Sequence, residues 1–172
     1  MSGAVGNAAA AAAAAEAAPG KEDNEEVATT KWRLTKEGRM FRKHIHRYAN
    51  GDVYDGEWVE GKRHGRGTFA YRDGGKYIGE FKDGIFDGFG IRIWAEYKTS
   101  NGVLIRGRKY EGTWKRGKKH GYGQFIIGDG ESYEGEFDFG KFQGRGVYTY
   151  KNGDRYDGEW SKGKWGGSGR IE

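Results

Sequence analysis

Residues 133–146 read YEGEFDFGKFQGRG, and four further stretches of the chain repeat that register. They are YDGEWVEGKRHGRG from Tyr54, YIGEFKDGIFDGFG from Tyr77, YEGTWKRGKKHGYG from Tyr110 and YDGEWSKGKWGGSG from Tyr156. Each copy leads with tyrosine, places glycine at offsets two, seven, eleven and thirteen, and carries Trp or Phe at offset four. The leading tyrosines lie 23, 33, 23 and 23 residues apart, so one ten-residue insertion interrupts an otherwise constant period. A fixed period of this length is the signature of a repeat array, in which each unit buries its apolar face against its neighbours.

Within a copy the pattern has period two. Tyr133, Gly135 and Phe137 fall on one side of a strand, with Glu134, Glu136 and Asp138 opposite. After a turn at Gly140, Gly144, Gly146, Tyr148 and Tyr150 share the first side. Such alternation predicts strands. Turn residues bound them: Glu60-Gly61, Asp83-Gly84 and Arg116-Gly117 inside copies, and Asp73-Gly74, Asp129-Gly130 and Asn152-Gly153 between them. Asx-Gly pairs supply the positive φ of tight hairpins. The expected fold is therefore all-β: one elongated, twisted, antiparallel sheet of tandem hairpins. Large rings would lie across bare glycine backbone, which explains why aromatic and glycine positions share a face.

Five copies occupy 54–76, 77–109, 110–132, 133–155 and 156–172, the second containing an insertion at 95–109. Asn101-Gly102 sits mid-insertion between strand-forming residues, which predicts an elongated hairpin, either a neutral expansion or a partner-contact arm. Residues 31–53 read as a degenerate capping copy, its leading tyrosine replaced by Lys31 but Gly38 at the offset-seven position. Terminal repeats are expected to be atypical. Residues 1–30 are low complexity, with alanine from Ala8 to Ala15 and an acidic stretch from Glu22 to Glu26, and are expected to be disordered. The fifth copy stops at Glu172 within its second strand, which admits a longer parent chain.

Composition narrows the chemistry. The chain has 33 glycines and no cysteine, so disulfides, thiolate metal sites and cysteine nucleophiles are excluded together. There is no apolar run of membrane-spanning length, and the first 20 residues lack Lys and Arg, which disfavours a secretory or mitochondrial leader. The expected location is cytoplasmic. Residues 1–30 carry a net charge of −4, whereas the remaining 142 hold 29 basic against 20 acidic side chains.

Apparent catalytic motifs dissolve on inspection. G-x-x-x-x-G-K recurs from Gly56, Gly112, Gly135 and Gly158. It is followed by Arg63, Lys119, Phe142 and Trp165 where a phosphate loop needs Ser or Thr, and it sits between strands. Glu57, Glu80, Glu136 and Glu159 recur at offset three and are read as a solvated row pairing across strands with Lys or Arg. His64 and His120 occupy the same offset two copies apart, about 20 Å by strand spacing, and cannot share a metal. His44 and His46 share a face but lack a third ligand. No enzyme, cofactor or metal site is expected.

Two surfaces remain. The first is the aromatic face, led by Tyr54, Trp58, Tyr77, Phe81, Tyr110, Trp114, Tyr133, Phe137, Tyr156 and Trp160. A single layer is not expected to bury all of them, so the face is read as both core and a shallow groove for a helical or extended partner segment. The second is the edge formed by the turns inside the copies, carrying Lys62, Arg63, Lys118, Lys119, Lys141 and Lys164, with Ile85, Phe86 and Asp87 breaking the row. That edge suits acidic phospholipids, or simply guards the sheet against edge pairing. No nucleic-acid partner is expected, because basic stretches interleaved with aromatic readers are missing.

The pattern Y-x-G-[ET]-[WF]-x-x-G-x-x-x-G-x-G over residues 54–169 resembles the MORN repeat (membrane occupation and recognition nexus). The resemblance implies a twisted sheet of hairpins that binds partner segments in its groove. It implies a scaffold or adaptor in cytoskeletal or ciliary assemblies such as radial spoke heads, or a membrane tether, or the accessory domain of a larger enzyme.

Overall fold

The computed structural model describes residues 33–34 and 38–172; the disordered-tail reading of 1–30, and residues 31, 32 and 35–37 of the capping copy, lie outside them. The strands are β1 (Arg33–Leu34), β2 (Met40–Arg47), β3 (Val53–Val59), β4 (Lys62–Ala70), β5 (Lys76–Lys82) and β6 (Ile85–Ile93). They continue as β7 (Tyr97–Lys98), β8 (Leu104–Ile105), β9 (Lys109–Lys115), β10 (Lys118–Gly128), β11 (Glu131–Asp138), β12 (Lys141–Thr149), β13 (Arg155–Ser161) and β14 (Lys164–Ile171). Twelve of them form one antiparallel sheet in chain order, from β1 to β6 and then β9 to β14. Every copy contributes one hairpin, and copies add sideways, as the period-two pattern requires. β7 and β8 pair separately in the insertion, with Tyr97 opposite Ile105. The insertion is thus a hairpin set on the end of the β6–β9 connection, and Trp94 N–H donates to Arg108 O at its base.

Two turn chemistries alternate along the sheet. Inside copies the turns have two residues, both at positive φ: Glu60 and Gly61, Asp83 and Gly84, Arg116 and Gly117, Phe139 and Gly140, Lys162 and Gly163. That is the primed geometry whose twist matches paired strands. The Asp129-Gly130 connection does the same. The connections at 48–52, 71–75 and 150–154 differ. There only the glycines Gly51, Gly74 and Gly153 have positive φ. Asn50, Asp73 and Asn152 instead accept the N–H two residues on, at 3.0, 2.8 and 3.1 Å. At Asp73-Gly74 and Asn152-Gly153 the glycine alone supplies the positive φ, and the Asx side chain closes the turn.

Between the turns, the offset-two and offset-thirteen glycines of each copy lie opposite one another, as in Gly56↔Gly67 and Gly135↔Gly146. The leading tyrosine lies across this bare pair. Tyr133 shows the arrangement: its hydroxyl donates to Glu136 O at 2.9 Å, and a Cβ on Gly146 would lie 2.6 Å from its Cε2. Tyr54, Tyr77, Tyr110 and Tyr156 make the equivalent bond to the carbonyl three residues on, at 2.9–3.1 Å. Copies are then stitched to each other. The Gly84, Gly117, Gly140 and Gly163 N–H groups donate to Arg63, Phe86, Lys119 and Phe142 of the preceding copy. Trp58, Trp114 and Trp160 each donate an indole N–H to a carbonyl of the preceding strand, His44 O, Gly90 O and Gly146 O.

A bulge in the second strand of every copy has the largest consequence for the surface. Between Gly56↔Gly67 and Trp58↔Arg63 the first strand advances two residues while the second advances four. The same irregularity recurs in the other four hairpins. The two-residue turn places offset nine directly across from the Trp or Phe at offset four, on the aromatic face, and the bulge beyond it brings the offset-thirteen glycine opposite the offset-two glycine.

Candidate functional site

On the aromatic face, Tyr54, Trp58, Tyr77, Phe81, Tyr110, Trp114, Tyr133, Phe137, Tyr156 and Trp160 are each 5% exposed or less. The expectation that one layer leaves them open is corrected. They bury one another in an edge-to-face chain running through the copies, for instance Tyr110–Phe137 at 5.1 Å and Tyr133–Trp160 at 5.2 Å. Residues at offset nine complete the cover, Phe86 stacking on Tyr77 at 3.7 Å and Phe142 on Tyr133 at 3.9 Å. Such pairs add about 0.5–1.5 kcal/mol each beyond area burial. These ten rings are a core. Burial pushes the phenol pKa of Tyr54, Tyr77, Tyr110, Tyr133 and Tyr148 well above its ordinary value.

The basic edge divides in two. Lys62, Lys118, Lys141 and Lys164 are exposed. Arg63 and Lys119 are not edge residues, because the two-residue turns set them across from Trp58 and Trp114 on the aromatic face. Arg63 donates to Gly84 O at 2.7 Å and to the Tyr48 hydroxyl at 2.9 Å, and lies 5.0 Å above the Phe69 ring. Lys119 is 1% exposed, its ammonium 4.2 Å from the centre of Phe125. A cation over a ring thus fills, in copies one and three, the slot that Phe86 and Phe142 fill in copies two and four. Copy two places Arg92 over Tyr71 at 3.7 Å instead.

The glutamate row has a role that spacing alone did not reveal. Glu57, Glu80 and Glu136 accept the backbone N–H groups of Arg66, Phe89 and Arg145 at 3.1, 3.3 and 3.2 Å. Each donor follows a bulge glycine at positive φ, namely Gly65, Gly88 or Gly144. The carboxylate satisfies an amide that the bulge removes from the ladder, so reading the row as solvation and Lys/Arg pairing is corrected. The recurring distance of nine residues from Glu to donor was the available signal. The histidines join copies: His64 Nδ1 lies 3.6 Å from Asp83 and His120 Nδ1 3.4 Å from Asp138. His44 stacks on Trp58 at 4.7 Å, and burial followed by the Arg42 charge holds its pKa below the usual imidazole value.

The face opposite the rings carries a concavity. A groove of about 420 Å³ crosses β2 to β6, lined by Lys43, Asp55, Arg66, Ile78, Phe89 and Ile91 among others. Ile78 is 42% and Phe89 52% exposed, with Ile45 at 55% beside them. These residues sit in one cross-strand register: Ile45↔Asp55, Thr68↔Ile78 and Ile78↔Ile91. Sequence reading missed them because they occupy variable offsets, one, twelve and fourteen, on the side judged polar. The signal was copy-specific: Ile78 and Ile91 stand where copy four has Glu134 and Val147.

The family model of the MORN repeat matches residues 54–76, 77–99, 110–132, 133–155 and 156–172. The chain belongs to the MORN repeat family. The array is similar to a segment of Alsin from Rattus norvegicus, 41% identical over 78 residues, which is 45% of this chain and 4% of that protein. It is 40% identical over 76 residues to MORN repeat-containing protein 3 of Xenopus laevis, covering 44% of this chain and 30% of that one. It is 35% identical over 71 residues to the human ALS2 C-terminal-like protein, covering 41% and 7% respectively. The matched segment is thus a minor part of each relative's length. MORN repeats are generally non-catalytic modules that mediate protein or membrane interactions.

Proposed function

We propose that this MORN array is a non-catalytic scaffold or adaptor that holds a partner segment in the groove crossing β2 to β6, on the face opposite its rings. The observation that carries the reading is the pair of exposed apolar side chains, Ile78 and Phe89, flooring a groove rimmed by Lys43 and Arg66. Exposed apolar surface rimmed by charge is the usual form of a binding site. The core rings cannot serve, since a partner would have to unpack them. On the family resemblance, the setting would be a cytoskeletal or ciliary assembly in the cytoplasm. Peptides selected from a display library on the full chain test the idea. Ile78→Asp and Phe89→Asp should weaken the selected peptides at least about tenfold, the ~1.4 kcal/mol that one lost anchor represents. Unchanged affinity in a folded variant would refute it.

A second reading has its own support. Lys62, Lys118, Lys141 and Lys164 are exposed at the same offset of four copies, and Phe139, 42% exposed, stands in the same row of turns. Cations beside an exposed ring suit a surface of acidic phospholipids.

A further inference from the structure

The groove repeats with the period of the copies. Lys43, Arg66 and Phe89 occupy offset twelve of the capping copy and of copies one and two, and so stand on β2, β4 and β6. They share one row across the sheet. Lys43 lies opposite Glu57 and Arg66 opposite Glu80, while Glu57 and Glu80 reach on to the Arg66 and Phe89 amides. The neighbouring row runs Ile45, Asp55, Thr68, Ile78 and Ile91.

The two rows present a defined order of charge. Lys43 and Arg66 are exposed, and neither forms an ion pair among the described residues. The glutamates opposite them already accept backbone N–H groups. The offset-twelve row therefore offers an occupant two cations and then the exposed Phe89 ring. Asp55, exposed on β3 between the cations, sets one opposite charge on the other row, and Ile78 stands beyond it on β5.

Spacing selects the form of the occupant. Strands about 4.8 Å apart set Lys43, Arg66 and Phe89 at steps of about 9.6 Å. Residues seven apart on an α-helix lie about 10.5 Å apart along one face. In an extended segment, side chains on one face recur at about 6.8 and 13.6 Å and match neither step. Over two steps a helix overshoots by about 2 Å, which the long Lys and Arg side chains absorb.

We infer that the partner segment of this groove is an amphipathic α-helix lying across the strands. Its acidic side chains, seven residues apart, meet Lys43 and Arg66. A basic side chain between them meets Asp55, and apolar side chains beyond them cover Ile78 and Phe89. These positions alternate in steps of four and three, the stripe of a single helix face. The inference rests on the groove being a binding surface and names the chemistry of its occupant.

The test uses the full chain and synthetic helical peptides built on alanine and glutamine. The probe carries two glutamates seven residues apart, a lysine four residues after the first, and leucines four and seven residues after the second. A second probe carries the same order reversed. At least one should bind in fluorescence anisotropy and gain helical circular dichroism as it does. Moving both glutamates two residues along, to the far side of the helix, should weaken it about tenfold. Lys43→Glu with Arg66→Glu, in a folded variant, should weaken the original probe by a similar factor, and a probe with lysines in place of its glutamates should bind that variant instead. Failure of both probes, or affinity indifferent to the glutamate positions or to Lys43 and Arg66, would overturn the inference. So would display-selected peptides that occupy the groove and are extended or basic. If those peptides lose affinity on Ile78→Asp while both helical probes fail, the groove stands and its helical occupant falls. If Ile78→Asp and Phe89→Asp leave every peptide unaffected, the groove itself falls.

Discussion

Raising the pH should unfold this protein abruptly, because its core is made of phenols. Tyr54, Tyr77, Tyr110, Tyr133 and Tyr148 are each 5% exposed or less, and burial raises the pKa of all five above the ordinary 10. Above pH 10 the unfolded chain gives up these protons while the folded chain keeps them. The unfolded state then binds fewer protons, so stability falls as pH rises from the unfolded pKa toward the folded ones. Each tyrosine contributes about 1.4 kcal/mol per pH unit, and five together roughly 7 kcal/mol. By about pH 11 that loss equals much of the 5–15 kcal/mol that holds a typical domain folded. The assay is phenolate absorbance followed beside far-ultraviolet circular dichroism across the alkaline range. Buried phenolates should appear in one cooperative step, coincident with loss of the sheet. Tyr133→Phe should flatten the slope by about a fifth. Gradual titration near pH 10 with the sheet intact would refute the reasoning.

Two further outcomes follow from the geometry. Gly146→Ala drives a methyl group into the Tyr133 ring and should cost more than about 3 kcal/mol in urea denaturation. Gly166→Ala meets nothing within 4 Å and has no positive φ, so it should stay within about 0.5 kcal/mol; equal costs at both sites would contradict the ring-over-glycine packing. On vesicles containing phosphoinositide, the chain should float and a Lys62/Lys118/Lys141/Lys164→Glu variant should not, with circular dichroism unchanged. A wild-type chain that fails to float ends the phospholipid reading. Arg63 and Lys119 are left intact in that variant, because their side chains support the aromatic face.

The hairpin array was legible because its causes are local. Glycine at offset seven and period-two alternation are visible in one copy, and five copies in register make them unmistakable. The partner surface was less legible. The rings at offsets zero and four read as half-open because one layer has no opposing sheet, yet offset nine, paired across the turn with offset four, supplies the missing cover. Lys119 was placed on the edge by its neighbours in GKKH, although the same position in copy four holds Phe142, whose type is at home inside. Comparing the copies position by position, rather than reading the turn as a basic cluster, would have placed it.

Sequence alone determined the repeat, its hairpins, the absence of cysteine chemistry and the face on which rings and glycines meet. Each follows from residue type and spacing within some 23 residues. Tertiary structure decided which side chains remain free. The pairing across each two-residue turn sets Arg63 and Lys119 on the aromatic face opposite Trp58 and Trp114, and the two extra residues in each second strand engage the offset-three glutamates at backbone amides. A groove lies on the other side, over Ile78 and Phe89. Exposure is a property of how copies pack against one another, and no single copy contains that information.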